Sequence, residues 1–387
     1  MVASGTFNEA LRIDARGIAG SNAILTIIGG YDSGCHAPQE GGISVITAAN
    51  RSASVVTVNG SIALSLDLLQ LTGADTGGDG GGLYFDGTGT LDTIRVAIFG
   101  NHAAHGGGLY ANGHSGNLAI RLHDSSHIFN NSAEHAGGGM RIQGQTRLFM
   151  LEGNTSIVNN RVNLNDGDGA GGGLQVVGPA RADIGSGVIS SNTAKYGGGI
   201  SVHGDDDDGY IRFFMTMLGQ PTRIEHNSAS QTGGGIFVGS LSHFAGANTG
   251  VACGFGFSIS ANTAQQGAAL YVDTSSNPVS TTRAFADLSS SALMTGSDSY
   301  CFAPEPASAL GALGCQPGAS CNTVNDNRAQ DISGHPTNGS TILVQTLGRF
   351  KSERIEMRGN VGAHVFHGFD TNFAEPDTFS NFRPPRL

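Results

Sequence analysis

The sequence predicts an all-β fold, a single right-handed parallel β-helix of about ten coils with an internal asparagine ladder. Three observations carry this: an excess of glycine, a repeat of about thirty residues, and short β-prone runs inside every repeat. Glycine makes up 61 of 387 residues, about twice the usual roughly 7 %. Only 13 % of residues are charged, where roughly 25 % is ordinary. Such a chain turns often and forms little helix. Collagen would require glycine at every third place with abundant proline, and a disordered tract would lack the Ile, Leu and Val spread throughout.

Each repeat reads Ile-x-x-Asn-x-Ala, a short gap, Gly-Gly-Gly, then Leu, Ile or Met followed by x-Val. One copy runs from Ile128 through Asn131 and Ala133 to Gly137-Gly138-Gly139-Met140, another from Ile189 through Asn192 and Ala194 to Gly197-Gly198-Gly199-Ile200. The aligned asparagines are Asn101, Asn131, Asn160, Asn192, Asn227, Asn262, Asn327 and Asn360, separated by 30, 29, 32, 35, 35, 65 and 33 residues. Runs such as Leu174-Gln175-Val176 and Ile200-Ser201-Val202 alternate, so every second side chain points inward. A further run is visible as Leu118-Ala119-Ile120-Arg121-Leu122, giving three strands per coil. Parallel strands stack about 4.8 Å apart, so equivalent asparagines would lie over one another and share amide hydrogen bonds. The alanine two residues later leaves room in the corner, and the glycines permit positive φ and close approach of backbones.

Four segments follow: residues 1–71 as N-terminal cap and first coils, 72–273 as the regular glycine-triplet array, 274–323 as a Cys/Pro/Ser-rich insertion, and 324–387 as last coils and tail. The insertion interrupts regular stacking and is a candidate for partner contact. Cys301, Cys315 and Cys321 suit a disulfide-stapled loop in an oxidising compartment better than a zinc site, since no CxxC pair exists. With a net charge of −11 and only Lys195 and Lys351 as lysines, no phosphate-tracking stripe for nucleic acid is expected. No run approaches the roughly eighteen apolar residues of a membrane span. Met1-Val2-Ala3-Ser4 does not read as a signal peptide.

The alternation of Ile-x-x-Asn with Gly-Gly-Gly-Leu/Ile resembles the repeats of polymorphic outer-membrane proteins and autotransporter passengers. Gly5-Thr6-Phe7-Asn8-Glu9 and Leu25-Thr26-Ile27-Ile28-Gly29-Gly30-Tyr31-Asp32 are similar to the first coils of secreted bacterial right-handed β-helix proteins of the pectate-lyase-like superfamily. The resemblance spans residues 5–366. It implies the fold and a secreted or bacterial cell-surface location; its members include lyases, hydrolases, tailspikes and adhesins, so function must be read from sites. No translocating β-barrel pattern follows Asn360.

The residues expected to point outward after the glycines are Tyr84, Tyr110, Arg141, Gln175, Ser201, Phe237 and Tyr271. That row has no carboxylate, so neither the paired acids of a hydrolase nor the calcium-bound acids of a lyase are seen, and no catalytic residue is assigned. Exposed rings can stack on sugar, which makes Tyr84, Tyr110, Arg141, Phe237 and Tyr271 candidate ligand contacts; packing of rings across coils is the alternative. His105 and His135 should stack along one edge, two ligands that alone make no metal site. Carboxylates grouped with glycine at Asp166 and Asp168, and at Asp205, Asp206, Asp207 and Asp208, are candidate calcium ligands or simply hydrated turns. The expected function is an adhesin-like binding or scaffold module, with polysaccharide or a cell-surface protein as partner and no cofactor other than calcium. The competing expectations are a polysaccharide lyase or glycoside hydrolase on the same scaffold, and a structural oligomer or filament subunit.

Overall fold

The computed structural model describes residues 1–17, 23–48, 52–204, 209–213, 221–239, 250–254, 256–273, 284–289, 322–345, 349–353 and 355–367. Among these residues the chain is strand in three sets, with no helix. Strands pair in parallel with the equivalent strand one repeat later, so chain neighbours fall into different sheets.

The first sheet has eleven strands, from Gly5–Asn8 to Ile355–Arg358. Its middle members Ala97–Phe99, His127–Phe129, Ser156–Val158 and Val188–Ser190 turn one isoleucine inward each. Ile98, Ile128, Ile157 and Ile189 are buried and in register. Burying each removes an aliphatic side chain from water, a gain of about 1.5–3 kcal/mol. Phe99 and Phe129 stack on the outer side, 5.0 Å between centroids.

A sharp corner follows each of these strands. The residue just before the ladder asparagine is left-handed at Gly100, Asn130, Asn159, Ser191, His226, Ala261, Asp326 and Gly359, with φ between 54° and 64°. Glycine, Asn, Asp and His accept this conformation most readily, and they fill six of the eight places. The chain then enters a seven-stranded sheet, from His102–His105 to Arg328–Ala329. Its inward positions are the predicted alanines, among them Ala103, Ala133, Ala194, Ala229 and Ala264.

Beyond the glycine triplets lies the third set, which connects as a closed, barrel-like network. Its long members Val56–Asp67, Leu83–Ile94, Leu109–His123 and Met140–Met150 each carry two stretches of pairing. Met140–Met150 joins Leu174–Val177 at its start and Arg181–Ile184 at its end. The sequence predicts two separate strands here. In these repeats they fuse because glycine at the bend, such as Gly89 with φ 110°, lets the strand turn and resume pairing, with a register shift at the bend in Leu109–His123. Within the stretch predicted as an insertion, Phe285–Ser289 pairs with Gly250–Gly254 and Arg349–Glu353. Parallel pairing therefore recurs inside this stretch, at residues 285–289.

Candidate functional site

The ladder asparagines form one column. Asn192 shows the pattern: its Nδ2 donates to Asn227 Oδ1 at 3.0 Å and to the Ile157 carbonyl at 2.9 Å. Its Oδ1 accepts from the backbone N–H and the Nδ2 of Asn160, at 2.9 and 3.1 Å. The same bonds link Asn101, Asn131, Asn160, Asn227, Asn262, Asn327 and Asn360. Asn101 through Asn327 are almost fully buried. In the interior members the oxygen and one amide hydrogen bond the preceding repeat and the other amide hydrogen bonds the next, so the column stabilises and leaves no group for a ligand.

The row after the glycines is continuous: Tyr84, Tyr110, Arg141, Gln175, Ser201, Phe237 and Tyr271 face one another strand by strand. The sequence predicts exposed rings here, with packing across coils as the alternative; in the structure most of the row is buried. Tyr110, Phe237 and Tyr271 are buried, with exposures of 6 %, 3 % and 6 %. Tyr84 and Tyr110 stack at 5.4 Å, as do Phe237 and Tyr271. Tyr196 packs against a small cluster of Ala170, Phe237, Tyr271 and Leu343. The Tyr271 hydroxyl donates to Asp273 Oδ2 at 3.1 Å and Gln345 Oε1 at 2.7 Å. Burial raises the Tyr84, Tyr110 and Tyr271 hydroxyls, so all three stay protonated. Only Tyr84 and Arg141 of the five candidates are partly accessible.

A parallel outward row lies two residues on, where alternation returns to the same face. It holds Asp86, Asn112, Gln143, His203 and Asp273, the carboxylates missing from the first row. His114 Nδ1 sits 2.9 Å from Asp86. His203 is fully buried, and burial followed by the Arg141 charge lowers its pKa to about 3. Because the folded value lies below the unfolded value near 6.5, the unfolded chain binds a proton that the folded chain refuses. This stability is complete above about pH 6.5 and is lost as pH falls toward 3. Urea unfolding of wild type and His203→Gln at pH 7.5 and 4.5 should show the wild type losing on the order of 3 kcal/mol more. Equal losses would contradict a buried neutral imidazole.

A cluster of charged side chains lies further along the third set. Arg121, Phe149, Asp183 and Arg212 are in register in one outward row, and Arg147, Arg181 and Tyr210 in the adjacent one. Arg121 bonds Asp92 at 3.2 Å and lies over the Phe149 ring. Arg147 lies over the same ring at 4.7 Å and reaches Asp183, which also holds Arg212 at 2.6 Å. Arg181 sits 4.7 Å over Tyr210. Three of the four guanidiniums thus meet two carboxylates, and Asp183 is nearly buried between two of them. No motif marked this face, because strand-to-strand steps along it vary with the connecting loops.

The metal candidates among the described residues do not converge. Asp166 bonds His135 at 3.3 Å, His105 bonds Asp79 at 2.8 Å, and the two imidazoles are 5.2 Å apart. Among the described residues no group of three His, Cys, Asp or Glu side chains, Asp168 included, is placed to hold a metal ion. Asp205, Asp206, Asp207 and Asp208 lie outside the described residues, as do Cys301, Cys315, Cys321 and the tail. Cys35 is a free thiol. No helix among the described residues is long and apolar enough to cross a membrane. Comparison with family models, curated proteins and solved structures returns no match.

Proposed function

We propose that the chain is a right-handed parallel β-helix of about ten coils that acts as a secreted or cell-surface binding module for acidic polysaccharide. The observation that carries this is the face of Arg121, Arg147, Arg181 and Arg212 interleaved with Phe149 and Tyr210. In a chain of net charge −11, Asp92 and Asp183 bond three of these guanidiniums, which leaves the Arg181 charge on this flank to be met by something anionic. Guanidiniums bind carboxylate or sulfate through paired N–H donors, and flat rings take the apolar face of a sugar. Strands about 4.8 Å apart present these groups at a regular interval, which suits a polymer with regularly spaced charge. Arg181 rests on Tyr210 with no carboxylate bonded to it among the described residues, so it is the cation most ready for a ligand. The resemblance of the repeats to polymorphic outer-membrane and pectate-lyase-like proteins supports the extracellular setting.

The test is calorimetric titration of the full chain with polygalacturonate and with neutral galactan at two salt concentrations. Arg121→Ala and Arg181→Ala together should weaken polygalacturonate binding about tenfold or more and flatten its salt dependence, at about 1.4 kcal/mol per decade. Binding that is unchanged by the substitutions, or equally strong for galactan, would overturn the proposal.

A further inference from the structure

A cavity of about 760 Å³ opens outside the corner between the first and second sheets, lined by His102, Asn130, Ser132, Glu134, Arg161 and Asn163 among others. Ser132 opens the strand Ser132–Ala136 and is in register with His102 on one side and Arg161 on the other. The three side chains therefore share an outward column, with Glu134 two residues on along the same face. Ser132 Oγ lies 2.9 Å from His102 Nδ1, and His102 Nε2 lies 3.2 Å from Glu134 Oε1. Asn163 Nδ2 donates to the other Glu134 oxygen at 2.9 Å. This is a hydroxyl on a base, the base on a carboxylate, and the carboxylate itself held in place. The carboxylate selects the tautomer with hydrogen on Nε2, which leaves Nδ1 free to take the serine proton.

The rest of the molecule supplies a contrast. His127 Nδ1 also approaches a serine, Ser156 Oγ at 2.8 Å, but no carboxylate is bonded to its other nitrogen among the described residues, and burial lowers its pKa. Further along the second sheet the same column carries Thr193, Ser228, Thr263 and Arg328, with no imidazole among them, and Thr263 bonds Ser228. The complete relay occurs where the cavity opens.

We propose that Ser132, His102 and Glu134 hydrolyse carboxylic esters in this groove, with O-acyl groups on a polar polymer as the substrate class its hydrophilic lining fits. This goes beyond glycan binding and uses a different face. Ser132 Oγ bonds to the acyl carbon as its proton passes to His102 Nδ1, and Glu134 stabilises the imidazolium. The carbonyl electron pair moves to oxygen, where the Arg161 guanidinium and the Asn130 amide, both lining the cavity, supply positive charge and N–H donors. The intermediate collapses, the C–O bond to the alcohol breaks, and the alcohol leaves with the proton from His102. Water then attacks the acyl-Ser132 carbon and loses its proton to His102. That proton returns to Ser132 Oγ as the carboxylic acid departs.

The experiment treats the full chain with a fluorophosphonate probe, maps the labelled peptide by mass spectrometry, and measures p-nitrophenyl acetate hydrolysis. Labelling should fall on Ser132. Ser132→Ala and His102→Gln should each lower hydrolysis about a hundredfold and Glu134→Gln about tenfold, with Ser156→Ala as active as wild type. No labelling of Ser132, or hydrolysis equal in wild type and Ser132→Ala, would overturn it. Polygalacturonate binding by Ser132→Ala, measured in parallel, reports on the arginine face alone, so failure of one proposal is distinguishable from failure of the other.

Discussion

Asn192→Ala is expected to cost about 4 kcal/mol or more, enough to unfold the chain at moderate temperature. The side chain accepts two hydrogen bonds from Asn160 and gives two more, to Asn227 and the Ile157 carbonyl. Asn160, Asn192 and Asn227 are all essentially inaccessible. Removing the amide leaves the Asn160 N–H and Nδ2, and the Ile157 carbonyl, without these partners in a place water does not reach. Each orphaned buried group costs about 1–3 kcal/mol. The outward neighbour Ser191 is exposed, so Ser191→Ala should leave stability within about 0.5 kcal/mol. Guanidinium unfolding followed by far-ultraviolet circular dichroism measures both, and two similar midpoints would show that the column does not carry the load assigned to it.

The second large effect is expected at Gly198. A Cβ there would stand 2.4 Å from the Ser228 carbonyl oxygen and 2.7 Å from the Gly234 carbonyl oxygen. Both are backbone atoms fixed in the parallel ladder, since Ser228 and Gly234 lie in the next repeat, where the Ser228 N–H bonds the Asn192 carbonyl and the Gly234 carbonyl accepts from the Gly199 N–H. A flexible side chain could move aside; a carbonyl in a ladder moves only with its strand. Gly198→Ala should therefore destabilise by more than the roughly 1–3 kcal/mol of ordinary overpacking and shift the thermal midpoint by several degrees or more. Gly167→Ala, where a Cβ meets nothing within 4 Å, is the matched control. Equal melting of the two variants would mean that the repeats do not approach as closely as the geometry shows.

These two positions also show why the fold was legible. A buried amide column demands the same residue at the same place in every repeat, and close approach of backbones demands glycine, so both leave periodic marks. The inward isoleucines and alanines are legible for the same reason. Burial of Phe237 and Tyr271 was legible only as the alternative of rings packed across coils, since part of what covers them comes from distant residues: Gln345 bonds Tyr271 across 74 positions. The row of Asp86, His203 and Asp273 was within reach of alternation alone, had the strands been followed two residues past the first outward position. The arginine face was hidden by unequal loops, which place Arg121, Arg147, Arg181 and Arg212 at irregular intervals although the sheet brings them side by side. His102 and Ser132 did carry a signal. Each directly follows a ladder asparagine in consecutive repeats, and such residues must be neighbours once the asparagines align.

The stacking itself is open to a ruler. Asn130, Ser191 and Asp326 occupy the left-handed, exposed corner position just outside the column, and they are suited to spin labels attached through introduced cysteines. In register, Asn130 and Asp326 are five strand steps apart, or about 24 Å, and Ser191 and Asp326 three steps, or about 14 Å, at roughly 4.8 Å per step. Pulsed electron spin resonance on the two doubly labelled chains should return those spacings, broadened only by the label arms, and differ by about 10 Å. Distances beyond about 40 Å for the first pair, or no shortening for the second, would contradict a chain that lays each repeat directly upon the last.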